Sequence, residues 1–242
     1  MITRLFRHAL PTREVPARQF PAQVRLPLPT PSFDPPAFLP GRLFSLEQRC
    51  QLRGRHERRI QLSAGCIYAA GVGMAEAPHD TVTVTVAEID FATAPAGLRI
   101  VQHYRWTRPE HTAVWNLRSV VGQTWGCAAA LIGSSTAGRT LSLRLDTNHG
   151  DAVLGEVRSP AILIAGLLQA VSSGRVHMYA DDGSQESQDF WSQIIRARRR
   201  GQGEGVRAFV EPITGDDGYV ASLALAVQAA DSLWSLSTLQ EA

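Results

Sequence analysis

Asp146, Asn148 and Gly150 follow one another at every second place, as the oxygen donors at the start of a calcium loop do. The register fails: the glycine stands fifth rather than sixth, and the twelfth place is Val157, not a glutamate. The stretch therefore reads as a hairpin turn. Gly71-Val72-Gly73 could open a cradle for a dinucleotide phosphate, but Glu76 stands where the third glycine belongs and no parallel βαβ unit is expected around it. It reads as a turn ahead of the next strand. Gly201, Gly203 and Gly205 follow a helical pattern rather than a strand and read as a linker. There is no GxSxG nucleophile elbow, no HExxH zinc helix and no Walker loop. The seven histidines have no metal-ligand spacing to one another or to a cysteine. Folding could assemble His103, His111 and Asp146 into an acid–base set, but their spacing does not single them out. No catalytic residue, cofactor site or metal site is assigned, and the reading leans away from an enzyme.

Arginine offers a different chemistry. All 24 basic residues of the 242 are arginine, a planar fork of donors suited to carboxylate and phosphate. Residues 1–60 hold eleven arginines against four acids, a net of +7. The remainder holds thirteen against eighteen, a net of −5. Such asymmetry points to an interacting tail. Arg49, Arg53, Arg55, Arg58 and Arg59 crowd the segment from Leu46 to Ile60, a basic helix or loop that could face phosphate or an acidic partner.

Nine of the 14 prolines also fall in residues 1–60, eight of them from Pro16 to Pro40. Proline fixes φ and removes a donor, so this stretch is expected to be extended. Phe20, Leu26, Leu28, Phe33 and Phe38 punctuate it with apolar side chains, which suits a strap lying on another surface. Met1 to Leu10 places apolar residues on one helical face and Arg4, Arg7 and His8 on the other, the pattern of a docking helix, a membrane-surface helix or a mitochondrial presequence. The expected organisation is an extended basic, proline-rich arm, 1–60, followed by a globular domain, 61–242.

Within 61–242 the strict alternation from Thr81 to Phe91 predicts a strand, with a slip near Ala87–Glu88. Ala94–Gly97 is a turn, and Leu98 to Trp106 is its antiparallel partner. A short helix is expected over His111–Val121, then strands at Trp125–Ile132, Thr140–Leu145 and Ala152–Val157. Ser159-Pro160 starts a helix that Gly174 stops. Arg175–Ala180 is a strand. Gln185–Arg200 is a helix whose last-turn arginines would complement its dipole. Val206–Ile213 is a strand and Tyr219–Leu236 the closing helix. The expected class is α+β, a mainly antiparallel sheet with about four helices.

From Phe190 to Leu233, the run Thr214-Gly215-Asp216-Asp217-Gly218-Tyr219 and the alanine-rich helix ending Ala229-Ala230-Asp231-Ser232 resemble the C-terminal tail of glucose–fructose oxidoreductase-type dehydrogenases. The resemblance covers under a fifth of the chain. It implies a structural helix and carries no activity, because that family's N-terminal nucleotide fold has no counterpart here.

The 44% hydrophobic share is ordinary for a soluble globular chain, and no apolar run approaches the ~18 residues needed to span a bilayer. Cys50, Cys66 and Cys127 form no CxxC pair, which suits a reducing compartment. These features together predict a structural or assembly subunit of a larger complex, such as a virion or phage particle. Its arm would strap onto neighbouring chains in an oligomer, in the cytoplasm or the virion, without a cofactor. The alternatives are a nucleic-acid-binding protein using the 42–59 arginines and an enzyme whose site is assembled from distant residues.

Overall fold

The computed structural model describes residues 41–75, 81–107, 116–134, 143–145, 152–154, 160–200, 207–210 and 217–240, all within the unit Phe38–Ala242. In chain order they form β1 (Gly41–Arg42), α1 (Leu46–Gln51), β2 (Ile67–Ala75), β3 (Thr81–Asp90) and β4 (Gly97–Thr107). A π-helical turn, Ser119–Thr124, leads to β5 (Ala129–Ser134), β6 (Leu143–Leu145) and β7 (Ala152–Leu154). Then come α2 (Pro160–Ser172), β8 (Val176–Met178), α3 (Gln185–Arg196), β9 (Ala197–Arg200), β10 (Arg207–Val210) and α4 (Gly218–Gln240). The chain is α+β, as its patterning predicts.

The central sheet has the order β5-β2-β3-β4-β8. The β2/β3 and β3/β4 pairs are antiparallel, while β2/β5 and β4/β8 are parallel. The sheet is therefore mixed, with β3 alone running against the other four strands. The expected slip in β3 lies between Val86 and Ala87. There β4 carries Val101 as an extra residue, which restores His103 to the face that Ile100 occupies.

Alternation in β3 suggests one wet face, yet Thr81, Thr83 and Thr85 are as buried as Val82, Val84 and Val86. The threonine face lies under the helices. Leu163, Leu167 and Val171 of α2, Phe190 and Ile194 of α3, and Leu223 and Val227 of α4 form one core there with Leu98 and Ile100. The valine face packs with Tyr68 of β2 and with Val121, Trp125 and Cys127, which the π-helical turn and the residues just after it deliver. The Trp125 indole N–H donates to the Tyr104 hydroxyl at 3.0 Å, so its polar edge is satisfied inside this second core.

Local signals account for most ends. Ser45 and Gln48 make a reciprocal capping box on α1. Ser184 caps α3 by accepting from the Ser187 amide at 3.2 Å. Gly174, at φ +66, closes α2 in the left-handed conformation, while the Arg175 amide donates to Ala170 at 3.0 Å.

Two readings are corrected here. Gly71-Val72-Gly73 is not a turn but the middle of β2. Its glycines are required because α4 lies directly against the strand. A Cβ on Gly71 would overlap the Ser222 carbonyl oxygen and the Ala226 amide nitrogen, and one on Gly73 would stand 2.7 Å from the Gly218 carbonyl oxygen. The α3 helix also stops at Arg196, not Arg200: Ala197 turns to φ −61, ψ 132, and the next residues pair as β9 with β1 and β10. Strand pairing, not a helix dipole, orders Arg198 and Arg199. Cys50 is exposed and only Cys127 is fully buried.

Glu88 is buried on β3 and held by ion pairs to Arg59 and Arg99. Arg59→Ala should cost about 1–2 kcal/mol, because one charged partner remains and Arg59 is partly wet. Urea denaturation measures this, and an unchanged midpoint would show that Arg99 alone satisfies the carboxylate.

Candidate nucleic-acid interface

The three-stranded sheet β1-β9-β10 concentrates arginine. Arg42 stands opposite Arg198, and Arg200 opposite Arg207, in antiparallel register. Like charges placed directly across a ladder repel. An arrangement that keeps them together is suited to a polyanion that neutralises them. Arg42 and Arg199 are exposed, and Arg198 is half-buried with its guanidinium donating to the carbonyls of Ile195 and Ala197, each at 3.2 Å.

Arg42 and Arg199 line a groove of about 490 Å³ floored by Leu43 and Leu168 and edged by Ser45, Gln48, Gln51 and Ser172. Glu47 is its one acid. A second groove, of about 690 Å³, holds Arg53, Arg196, Trp191 and Tyr179. Gln51 ends α1 and Arg53 lies two residues on, while Arg196 ends α3 and Arg199 lies in the β9 that follows it. The two grooves therefore flank the same strip of chain. Arg53 lies 5.2 Å over the Trp191 ring, an arrangement that keeps both side chains extended at the surface.

The five arginines singled out near the start of the folded unit separate into two groups. Arg58 pairs with Asp182 and Glu186 at 3.4 and 3.5 Å, donates to Gln102 at 2.6 Å and covers the Tyr179 ring. Arg59 is tied to Glu88. These two fix the segment to the body. Arg49 is half-buried and turned back to the Ser45 carbonyl at 3.3 Å. Arg53 and Arg55 are exposed, and Arg53 alone of the five joins a groove with arginines from elsewhere in the chain. The apolar strap residues Phe20, Leu26, Leu28, Phe33 and Phe38 lie outside the described residues, as do Met1–Leu10, His111 and Asp146.

His103 is fully buried. Its Nδ1 lies 3.1 Å from the Thr85 hydroxyl, which lies 2.7 Å from that of Ser222. Its ring stacks on Phe190 and meets Tyr219 edge-on. Burial, and then the nearby Arg58 charge, push its pKa down to about 3. It is a neutral strut between β3, β4 and α4, with no route to a substrate.

The remaining place where this topology could hold a ligand is the carboxyl edge of the parallel strands. There β2 and β5 run side by side, with Gly73 registered against Gly133 and Met74 against Ser134. The first turn of α4 closes over β2 at this edge, the Gly218 carbonyl and the Ser222 amide filling the space above Gly73. Beneath, opposite Gly73, the buried Thr83 hydroxyl has no hydrogen-bond partner. Asp217, half-buried, immediately precedes α4.

No family model matches the chain, and no curated protein does. Solved structures do. The large terminase nuclease of the thermophilic phage G20c, with bound magnesium, superposes with a TM-score of 0.53 at 18% identity, over 78% of this chain and 97% of that one. The large terminase nuclease domain of Thermus phage P74-26 gives 0.50 at 18%, over 75% and 92%. The large terminase of a second thermophilic bacteriophage gives 0.50 at 8%, over 78% of this chain and 45% of that one. These likenesses concern the fold. The dehydrogenase-like tail is, within it, the helix α4 that packs on β2, β3 and β5.

Among the described residues, no donor set for a metal ion such as the magnesium of one neighbour is present. Glycine occupies both β2 and β5 at the carboxyl edge, a Cβ at Gly73 would press on α4, and no group of three or more His, Cys, Asp or Glu among the described residues could hold a metal. Among the described residues, no helix is long and apolar enough to cross a membrane. The expectation of a purely structural assembly subunit is overturned: the chain has the fold of phage large-terminase nuclease domains, which are nucleases and not structural proteins.

Proposed function

We propose that this chain engages duplex DNA, as a terminase-nuclease-type domain within the multisubunit DNA-handling machinery of a phage. The observation that carries this reading is the gathering of the exposed Arg42, Arg53, Arg196 and Arg199 along two open grooves, where β1 pairs with β9. Exposed guanidinium groups can pair with the phosphates of a nucleic-acid backbone by charge, without reading sequence. The fold supports the choice of DNA over an acidic protein, since the solved neighbours are nucleases. Arg42, Arg53, Arg196 and Arg199 would meet phosphates, and Trp191 would offer an apolar face beside them.

Phosphate contacts release counterions, so affinity should fall linearly on a logarithmic salt axis, by about 0.9 in slope for each phosphate neutralised. Fluorescence anisotropy with a random-sequence duplex should show this steep fall in the wild-type chain. The triple variant Arg42→Gln, Arg196→Gln, Arg199→Gln should flatten the slope by roughly 2–3. Wild-type protein that does not bind at low salt, or a variant with an unaltered slope, would remove these residues from the interface.

A further inference from the structure

We infer that this chain holds DNA without a divalent-metal centre at the carboxyl edge of the parallel strands β2 and β5, and so does not cut what it binds. The inference rests on the DNA-binding reading above, but its argument comes from a different part of the molecule.

Metal-assisted hydrolysis of a phosphodiester requires an ion that polarises the phosphoryl oxygen and activates a water or stabilises the leaving oxygen. Magnesium and manganese are held for that purpose by carboxylate oxygens in a near-octahedral shell. In an open sheet with parallel strands, the natural place for such a ligand is outside their carboxyl ends. In this chain one such place lies at β2 and β5, with the start of α4 against β2, and β4 and β8 form the other parallel pair.

The described residues there supply almost no charge. Gly73 and Gly133 face one another in register, followed by Met74 and Ser134. The space a side chain at position 73 would need is taken by backbone: the Gly218 carbonyl oxygen would lie 2.7 Å from an added Cβ and the Ser222 amide nitrogen 3.1 Å. Helix α4 has settled onto the strand, so a carboxylate at this position would require the helix to move. The same contact recurs two residues earlier at Gly71, which makes the close approach a property of the whole β2–α4 interface. Thr83, under the first turn, presents a neutral hydroxyl. Asp217 is a single carboxylate among the described residues there, so an ion beside it would keep most of its waters and be held weakly. The edge that could house a metal is here a packing surface.

The full-length chain should be tested by calorimetric titration with manganese chloride and, separately, by duplex binding in EDTA and in magnesium at matched ionic strength. No saturable manganese binding is expected, duplex affinity should be no higher in magnesium than in EDTA, and supercoiled plasmid should stay uncut with either metal. Saturable manganese binding that Asp217→Asn abolishes would overturn the inference, as would metal-dependent nicking of the plasmid. The titration examines every carboxylate of the chain at once, including Glu76, Asp80, Glu211 and Asp216, which lie outside the described residues. Failure to bind DNA in any buffer would instead sink the DNA-binding reading, and the manganese result would still decide the present one.

Discussion

Gly71→Ala should prevent folding or destabilise the domain by more than about 3 kcal/mol, whereas Gly166→Ala should be neutral or stabilising by up to about 1 kcal/mol. The substitutions add the same methyl group. At Gly71 it would enter the backbone of α4, where the Ser222 carbonyl and the Ala226 amide already touch the strand. Backbone cannot rotate away as a side chain can, so either α4 lifts along its length or β2 bends. Lifting α4 would also pull Ser222 from the 2.7 Å contact with Thr85 and loosen the buried face of three strands. At Gly166, within α2, nothing lies within 4 Å of the added carbon, and alanine is the better helix former. Urea denaturation followed by circular dichroism would measure both. A Gly71→Ala protein with the wild-type midpoint would mean that α4 does not rest on β2.

That contact also shows which parts of the fold were legible. Strand β3 announced itself because its period of two is unbroken, and α2 because Ser159-Pro160 and Gly174 bracket it. The reading missed β2 because glycine lowers strand propensity, and a Gly-x-Gly pair usually marks a turn. A signal was present: Ala69, Gly71 and Gly73 fall on one face at a spacing of two, and α4 carries Ala221, Ala224, Ala226, Ala229 and Ala230. Small residues on both partners are what a close helix–strand approach requires. Neither stripe reveals the other until the topology joins residues some 150 positions apart, so local pattern alone could not have found the pair.

The candidate interface was legible in the same partial way. Counting charge located a basic segment but assigned its arginines together. Arg58 and Arg59 proved to be internal fasteners, because acids at Asp182, Glu186 and Glu88 come to them from distant elements. Arg198 and Arg199 were assigned to a helix end, where a dipole would have accounted for them. Only when Ala197 leaves the helix does the pairing of Arg198 with Arg42 and of Arg199 with Gly41 appear. The grooves therefore combine two arginines of the expected 42–59 cluster, Arg42 and Arg53, with Arg196 and Arg199, for which the sequence offered a different explanation.

Lowering the pH should destabilise the domain well before its carboxylates titrate, and His103 should be a principal cause. In the folded chain its pKa is held at about 3, against an ordinary value of 6.5, because burial and the Arg58 charge oppose the imidazolium. The unfolded chain thus takes up a proton that the folded chain refuses. The stabilisation is complete above pH 6.5 and is lost as the pH falls from there toward 3, at a rate of at most about 1.4 kcal/mol per pH unit. His56, whose pKa is also lowered, first by burial, adds in the same direction, so the comparison must isolate one residue. His103→Phe would keep the stack on Phe190 and lose the Thr85 contact. It should be less stable at neutral pH, yet lose stability more slowly as the pH falls from 6.5 to about 4.5, the window before ordinary carboxylates titrate. Urea midpoints for the two proteins across that window provide the test. Parallel slopes would mean that His103 takes up its proton without unfolding, and that the strut between β3, β4 and α4 is open to water.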